Sequence, residues 1–202
     1  MSRKVFDKLT SAGGAVVVVV LVVAGGLLTW GHSFVNSQVH DQLAQQQIYF
    51  PPKGAFAHPK AGTEITPSMI PSVSQYAGQQ LLTGQQAKVW ANDFMAVHLS
   101  EMPYGGVYSK ASAAALKDPN NAKLQGVVGT IFKGTTLRGM LLEAYAFSTI
   151  GSVMLWGAIA SFVLAAILAV LVGLGLWHAS RTPQEKQVLS REGAAPEPAP
   201  AA

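Results

Sequence analysis

Two stretches of the chain carry no charged side chain and are apolar enough to lie in hydrocarbon: residues 12–30, AGGAVVVVVLVVAGGLLTW, and residues 144–177. The first, about 19 residues at about 1.5 Å rise each, gives a helix close to the ~30 Å thickness of a bilayer core. Its five consecutive valines disfavour helix in water. In lipid the backbone has only itself to bond to, so the pattern still predicts a helix. The second stretch is longer than a membrane requires, which predicts a helix that starts outside and runs in. Trp177, beside His178 and Arg181, has the position of an interfacial anchor. Small residues recur there at every fourth position, Gly157, Ser161, Ala165, Ala169 and Gly173. Such a ridge lets another helix approach closely. The partner would be the first span, a second copy of the chain or another membrane protein.

Between the spans the periodicity is helical. Residues 33–50 contain neither Gly nor Pro, and Val35, Val39, Leu43 and Ile48 fall near helical spacing, with Pro51-Pro52 as the stop. Residues 51–67 read as a loop. Thr83 followed by Gln86 is a capping box, and Trp90, Phe94 and Val97 give the ensuing helix one apolar face. Pro103 and Gly105-Gly106 end that helix near Glu101. Asp118-Pro119 has the form of another helix start, Leu124, Val127, Val128 and Ile131 form its stripe, Gly134 stops it, and Thr135 caps the segment leading into the second span. No run shows clean period-two alternation, so no strand is expected.

The fold expected is an all-α membrane protein: a cytoplasmic start (1–11), a transmembrane helix (12–31), a small helical extracytoplasmic domain (32–143), a second helix containing the other span (144–177) and a tail (178–202). The tail is rich in Pro and Ala and is expected to be disordered. Arg3, Lys4 and Lys8 precede the first span, and Lys53 is the first cation after it, which puts the N-terminus in the cytoplasm. Two spans then put both termini there and the central domain outside the cell membrane. The basic start also resembles a signal peptide. However, its apolar run exceeds the roughly 7–15 residues of such segments and no A-x-A site follows, so an uncleaved anchor is expected.

Composition sharpens this picture. Only 12% of residues are charged, against roughly 25% in an ordinary soluble domain. The net charge is +4, but Lys and Arg are scattered and not interleaved with stacking aromatics, so membrane lipid and not nucleic acid is the expected surface. The absence of cysteine excludes disulfides, thiolate metal sites and thiol nucleophiles.

The candidate chemistry is concentrated in NDFMAVHLSEMPYGGVYS, residues 92–109, where Asp93, His98 and Glu101 lie close together. On a helix His98 and Glu101 share a face, whereas Asp93 lies about 140° from His98. No second His stands at the i+4 spacing of a helical zinc pair. A site assembled across helices from His40, Asp41, His58, His98 and Glu101 is the metalloenzyme alternative. G-x-S-x-G, phosphate-binding and dinucleotide-binding loops are absent. Glu143, at the edge of the second span, is expected to be interfacial and paired with Arg138 or Lys133. No catalytic residue, metal ligand or cofactor is therefore assigned, and His98, Glu101 and Tyr108 are kept as ligand or partner contacts.

QLAQQQIYFPPKG, QYAGQQLLTGQQAKVWANDFMAVHLSEM and FKGTTLRGMLLEAYAFSTIG resemble segments of uncharacterised two-span membrane proteins of actinobacteria. The resemblance covers most of the chain except the tail. Where such proteins often have Gly-Gly-Lys-Thr-Tyr, this chain has Gly105-Gly106-Val107-Tyr108. Some of them carry the label aromatic ring-opening dioxygenase, a chemistry that needs a metal triad no spacing here supplies. The function expected is association without catalysis, as an accessory or scaffold subunit of a cell-envelope or respiratory membrane assembly, with other membrane proteins or a second copy as partner. The alternative is an extracytoplasmic small-molecule-binding or sensory module using Tyr76, Gln79, His98 and Tyr108.

Overall fold

A computed structural model describes residues 3–60 and 62–181 of the chain. The tail expected to be disordered lies, apart from residues 178–181, outside the described residues. Two long helices, α1 (Arg3–Gln45) and α6 (Ala122–Arg181), bracket four short ones: α2 (Ile70–Val73), α3 (Gly84–Val89), α4 (Ala96–Glu101) and α5 (Tyr108–Lys117). Among the described residues there is no strand, only one isolated antiparallel bridge between Tyr49 and Gln80. The chain forms two compact units, one from the described residues up to Thr29 and from Trp156 onward, the other Trp30–Leu155.

The first unit is a helix pair. Both of its helices are long and apolar enough to cross a membrane, and only 6% of the most apolar window of either is buried within the chain. A core helix of a water-soluble fold would be mostly buried. Here Val16, Val19, Val20, Val23, Val163, Leu164, Ile167 and Val170 are all exposed. The helices meet along small residues. A Cβ added to Gly25 would stand 2.8 Å from Phe162, one on Gly14 2.7 Å from Val172, and one on Gly175 2.6 Å from the Ser11 hydroxyl. Ala158, Ala165 and Ala179 are buried in the same seam.

The seam differs from the four-residue ridge read from the sequence. Ala158, Ser161, Ala165, Leu168, Val172, Gly175 and Ala179 are buried or half-buried along it, alternating steps of three and four, with Gly157 half-buried beside Ala158. Ala169 and Gly173 are exposed, and nothing lies within 4 Å of a Cβ on Gly173. The reason is geometric. A four-residue step advances about 400° on a helix, so a period-four ridge winds off the contact. A mean period of 3.5 keeps facing the partner in a left-handed pair.

The second unit has an ordinary core. Val39, Leu43, Phe50, Ile65, Met69, Val73, Leu81, Ala87, Ala91 and Leu141 are buried together. Two backbone bonds tie residues 48–50 to residues 79–81 beside it: Phe50 N–H donates to Gln79 O and Leu81 N–H to Ile48 O, both at 2.9 Å. This pairing explains why α1 stops at Gln45 rather than at the prolines. Gln80 Nε2 donates to the Ala44 carbonyl at 3.1 Å, and Gln47 turns to φ 51°, swinging Phe50 into the core.

Three further boundaries depart from expectation. Residues 108–117, to which the pattern assigns nothing, form α5, burying Ala111 and Ala115. Asp118 closes α5, and the start of α6 is capped by Asn121, whose Oδ1 accepts from Leu124 N–H at 3.0 Å. Gly134 does not stop a helix; α6 runs through it without interruption. A Cβ there would stand 2.8 Å from Leu99 Cδ2, so this glycine serves close approach. The helix-propensity cost of about 1 kcal/mol is tolerated in a helix supported on both sides.

Candidate functional site

Thr83 begins the site. Its hydroxyl accepts from Gln86 N–H at 3.3 Å, and Gln86 Oε1 accepts from Thr83 N–H at 3.0 Å and Leu82 N–H at 2.8 Å. The capping box therefore forms as its spacing requires. The helix it starts is not uniform. After α3 the chain widens into a π-helical turn, Trp90–Met95, before resuming as α4. Such a turn holds an extra residue, shifts the following side chains round the axis and frequently marks functional sites. Arg138 of α6 bonds to two acceptors of this turn: Nε donates to the main-chain Ala91 O at 3.0 Å, and the terminal guanidinium nitrogen donates to the side-chain Asn92 Oδ1 at 2.8 Å.

A row of rings follows from this turn. Tyr76 and Trp90 each have ring centres 5.1 Å from Phe50, Trp90 stacks on Phe94 at 4.3 Å, and Phe94 lies 4.6 Å from His98. His98 Nδ1 is 2.9 Å from Phe94 O. A carbonyl can only accept, so Nδ1 carries a proton and the neutral ring has its lone pair on Nε2. A cavity of about 330 Å³ opens beside this ring, lined by Trp90, Phe94, Met95, His98, Leu99, Met102, Thr130 and Gly134. The Thr130 hydroxyl donates to Gly126 O at 3.0 Å, which leaves His98, among the described residues, as the one ionisable group in the lining.

The other residues singled out from sequence do not line this cavity. Glu101 is exposed at the end of α4. Tyr108 is 43% exposed and lies 5.6 Å, ring to ring, from the exposed Phe132. Neither Tyr108, Tyr76 nor Gln79 lines the cavity beside His98. Glu143 is not paired with Arg138, which is committed to Ala91 and Asn92. Instead Glu143 borders a second cavity of about 410 Å³ with Phe34, Gln38, Gln42, Met140 and Phe147. His32 Nδ1 lies 2.8 Å from Gly151 O, and His40 lies 3.3 Å from Asp41. Among the described residues no three of His, Asp and Glu converge on a metal position.

In the first unit, Asp7 and His178 approach to 3.9 Å, and Arg181 lies 4.4 Å over the Trp177 ring. Gly157 reaches Leu28, Ser161 is half-buried and Ala165 is buried, whereas Ala169 and Gly173 face outward.

What the fold defines is an all-helical chain with two helices that are long and apolar enough to cross a membrane, joined by a helical unit with its own core. No protein-family model, no curated protein and no solved structure matches it.

Proposed function

We propose that the protein is a two-pass membrane protein of the cell membrane, with its central unit outside the cytoplasm, that acts by association and not by catalysis, as an accessory or scaffold subunit of a larger membrane assembly. The observation that carries this reading is an exposed aromatic pair on the second unit: the rings of Tyr108 and Phe132 lie 5.6 Å apart, and both are exposed. Tyr104, Val107 and Leu116, close to Tyr108 along the chain, are exposed as well. Exposed apolar groups mark interaction sites, and aromatic anchors dominate such interfaces. Phe132 precedes the uncharged run by 12 residues, about 18 Å along the helix axis. A protein partner, rather than the bilayer core, fits this position. The outward-facing Ala169 and Gly173 add a surface that another helix could approach within the membrane.

Purification of the full chain in mild detergent, followed by mass spectrometry of the intact complex, tests the reading. Tyr108→Gln and Phe132→Gln are expected to lose the partner while the helix pair stays intact. A wild-type protein recovered only as a monomer, or an assembly unaffected by both substitutions, would overturn it.

A further inference from the structure

The cavity beside His98 contains a set of donors that the association reading does not use. His98 stands in the last turn of α4. Met95 lies three residues before it and Met102 four residues after, and both line the same cavity. Met95 ends the π-helical turn and Met102 follows the last residue of α4, so it is the shared cavity that brings both beside His98. The three side chains offer two thioether sulfurs and one imidazole nitrogen. The geometry selects the nitrogen: Nδ1 donates to the Phe94 carbonyl at 2.9 Å, which leaves Nε2 as the nitrogen available to a ligand. Fixing the ring through its other nitrogen is how proteins orient a metal-binding histidine.

The rest of the lining narrows the choice of ion. Among the described residues no carboxylate borders this cavity, and the chain has no cysteine. Calcium and magnesium need oxygen donors, and structural zinc favours thiolate and imidazole over thioether. Thioether with imidazole suits a soft monovalent ion. The Trp90 and Phe94 rings line the same cavity and add polarisable faces to it.

We propose that Met95, His98 and Met102 bind one soft monovalent metal ion of the copper(I) type. The π-helical turn just before His98 belongs to this site, because its extra residue sets the phase of the helix that carries the donors. The proposal is independent of the association reading and stands or falls separately.

The test uses full-length, tag-free protein in detergent, titrated without oxygen with copper(I) against the chromophoric chelator bicinchoninate. Wild type is expected to withdraw one equivalent. Met95→Leu and Met102→Leu keep volume and apolarity, and each is expected to weaken binding by on the order of tenfold or more; outer-sphere changes alone reach that range. His98→Gln is expected to abolish it. X-ray absorption of the wild-type complex should show two sulfur neighbours and one nitrogen. It decides the matter even if a substituted chain fails to fold. No withdrawal of copper(I) by wild type, unchanged binding by the double Met95→Leu, Met102→Leu chain, equally tight binding of zinc(II), or a copper shell of light atoms alone would each overturn the proposal.

Discussion

Arg138 Nε donates to the carbonyl of Ala91 at 3.0 Å, a residue 47 positions earlier in the chain. That carbonyl already accepts from Ala96 N–H across the π-helical turn, so the guanidinium takes its second lone pair. The other arm of the guanidinium holds Asn92 Oδ1 at 2.8 Å. One cation thus holds both the main chain and a side chain of the wide turn.

Arg138→Met should remove both bonds while keeping most of the aliphatic stem. Hydrogen bonds to charged groups contribute about 1.5–3 kcal/mol each, and Arg138 is only half-buried, so a loss of ~2 kcal/mol in all is expected. Arg138→Lys should recover little, because a single ammonium cannot reach two acceptors in the fork geometry. Asn92→Ala should cost less than either. Thermal unfolding in detergent, followed by the near-ultraviolet circular dichroism of the tryptophans, measures this. A melting curve for Arg138→Met that overlays wild type would show the clamp to be idle.

The seam of the helix pair can be caught covalently. A Cβ on Gly175 would lie 3.9 Å from Ser11 Cβ, close to the mean of about 3.8 Å in disulfides. The chain has no cysteine of its own, so Ser11→Cys with Gly175→Cys can form only one internal bridge. Mild oxidation of the purified double variant should link the two ends of one chain. After protease cleavage between the spans, the fragments should stay together until reduced. Ser11→Cys with Gly173→Cys should not link, because position 173 faces open space. Bridges formed only between chains would refute an intramolecular seam.

Two adjacent glycines should respond differently to the same substitution. Gly105 (φ 63°) and Gly106 (φ 66°) both occupy the left-handed region. A methyl group in that region costs about 1–2 kcal/mol. Around Gly105 there is room for it, but a Cβ on Gly106 would collide with the Leu99 carbonyl oxygen. That oxygen belongs to the main chain and can move only if the end of α4 moves. Gly105→Ala should therefore lower stability by about 1 kcal/mol, and Gly106→Ala by several-fold more. The comparison is made by thermal unfolding of both variants. Equal shifts would rule out the close approach at Gly106.

Much of the helical framework is legible in the order of residues alone. The capping box at Thr83 and Gln86 is local: both partners lie within four residues, so spacing specifies it. The buried face of Val39 and Leu43 is legible for the same reason. The π-helical turn is not, because its stabilising donor arrives from Arg138, far along the chain. Gly134 has the pattern of a stop and is not one, since a helix-ending glycine and one that admits Leu99 look identical in sequence. The site divides in the same way. His98 stands out in the sequence, but neither Glu101 nor Tyr108 lines its cavity, whereas Met95 and Met102 do.

Local sequence sets the lengths of the two uncharged runs, the helical character of what joins them and the capped start of the central helix. Each depends on residues a few positions apart. The phase of the long helices, meaning which side of each faces its partner, comes from packing. A ridge at every fourth residue and a seam at every three and a half both draw on small side chains, and Gly157, Ser161 and Ala165 contribute to both. Only the second helix of the pair selects between them, because rotation of a helix about its own axis has no energy until something packs against it.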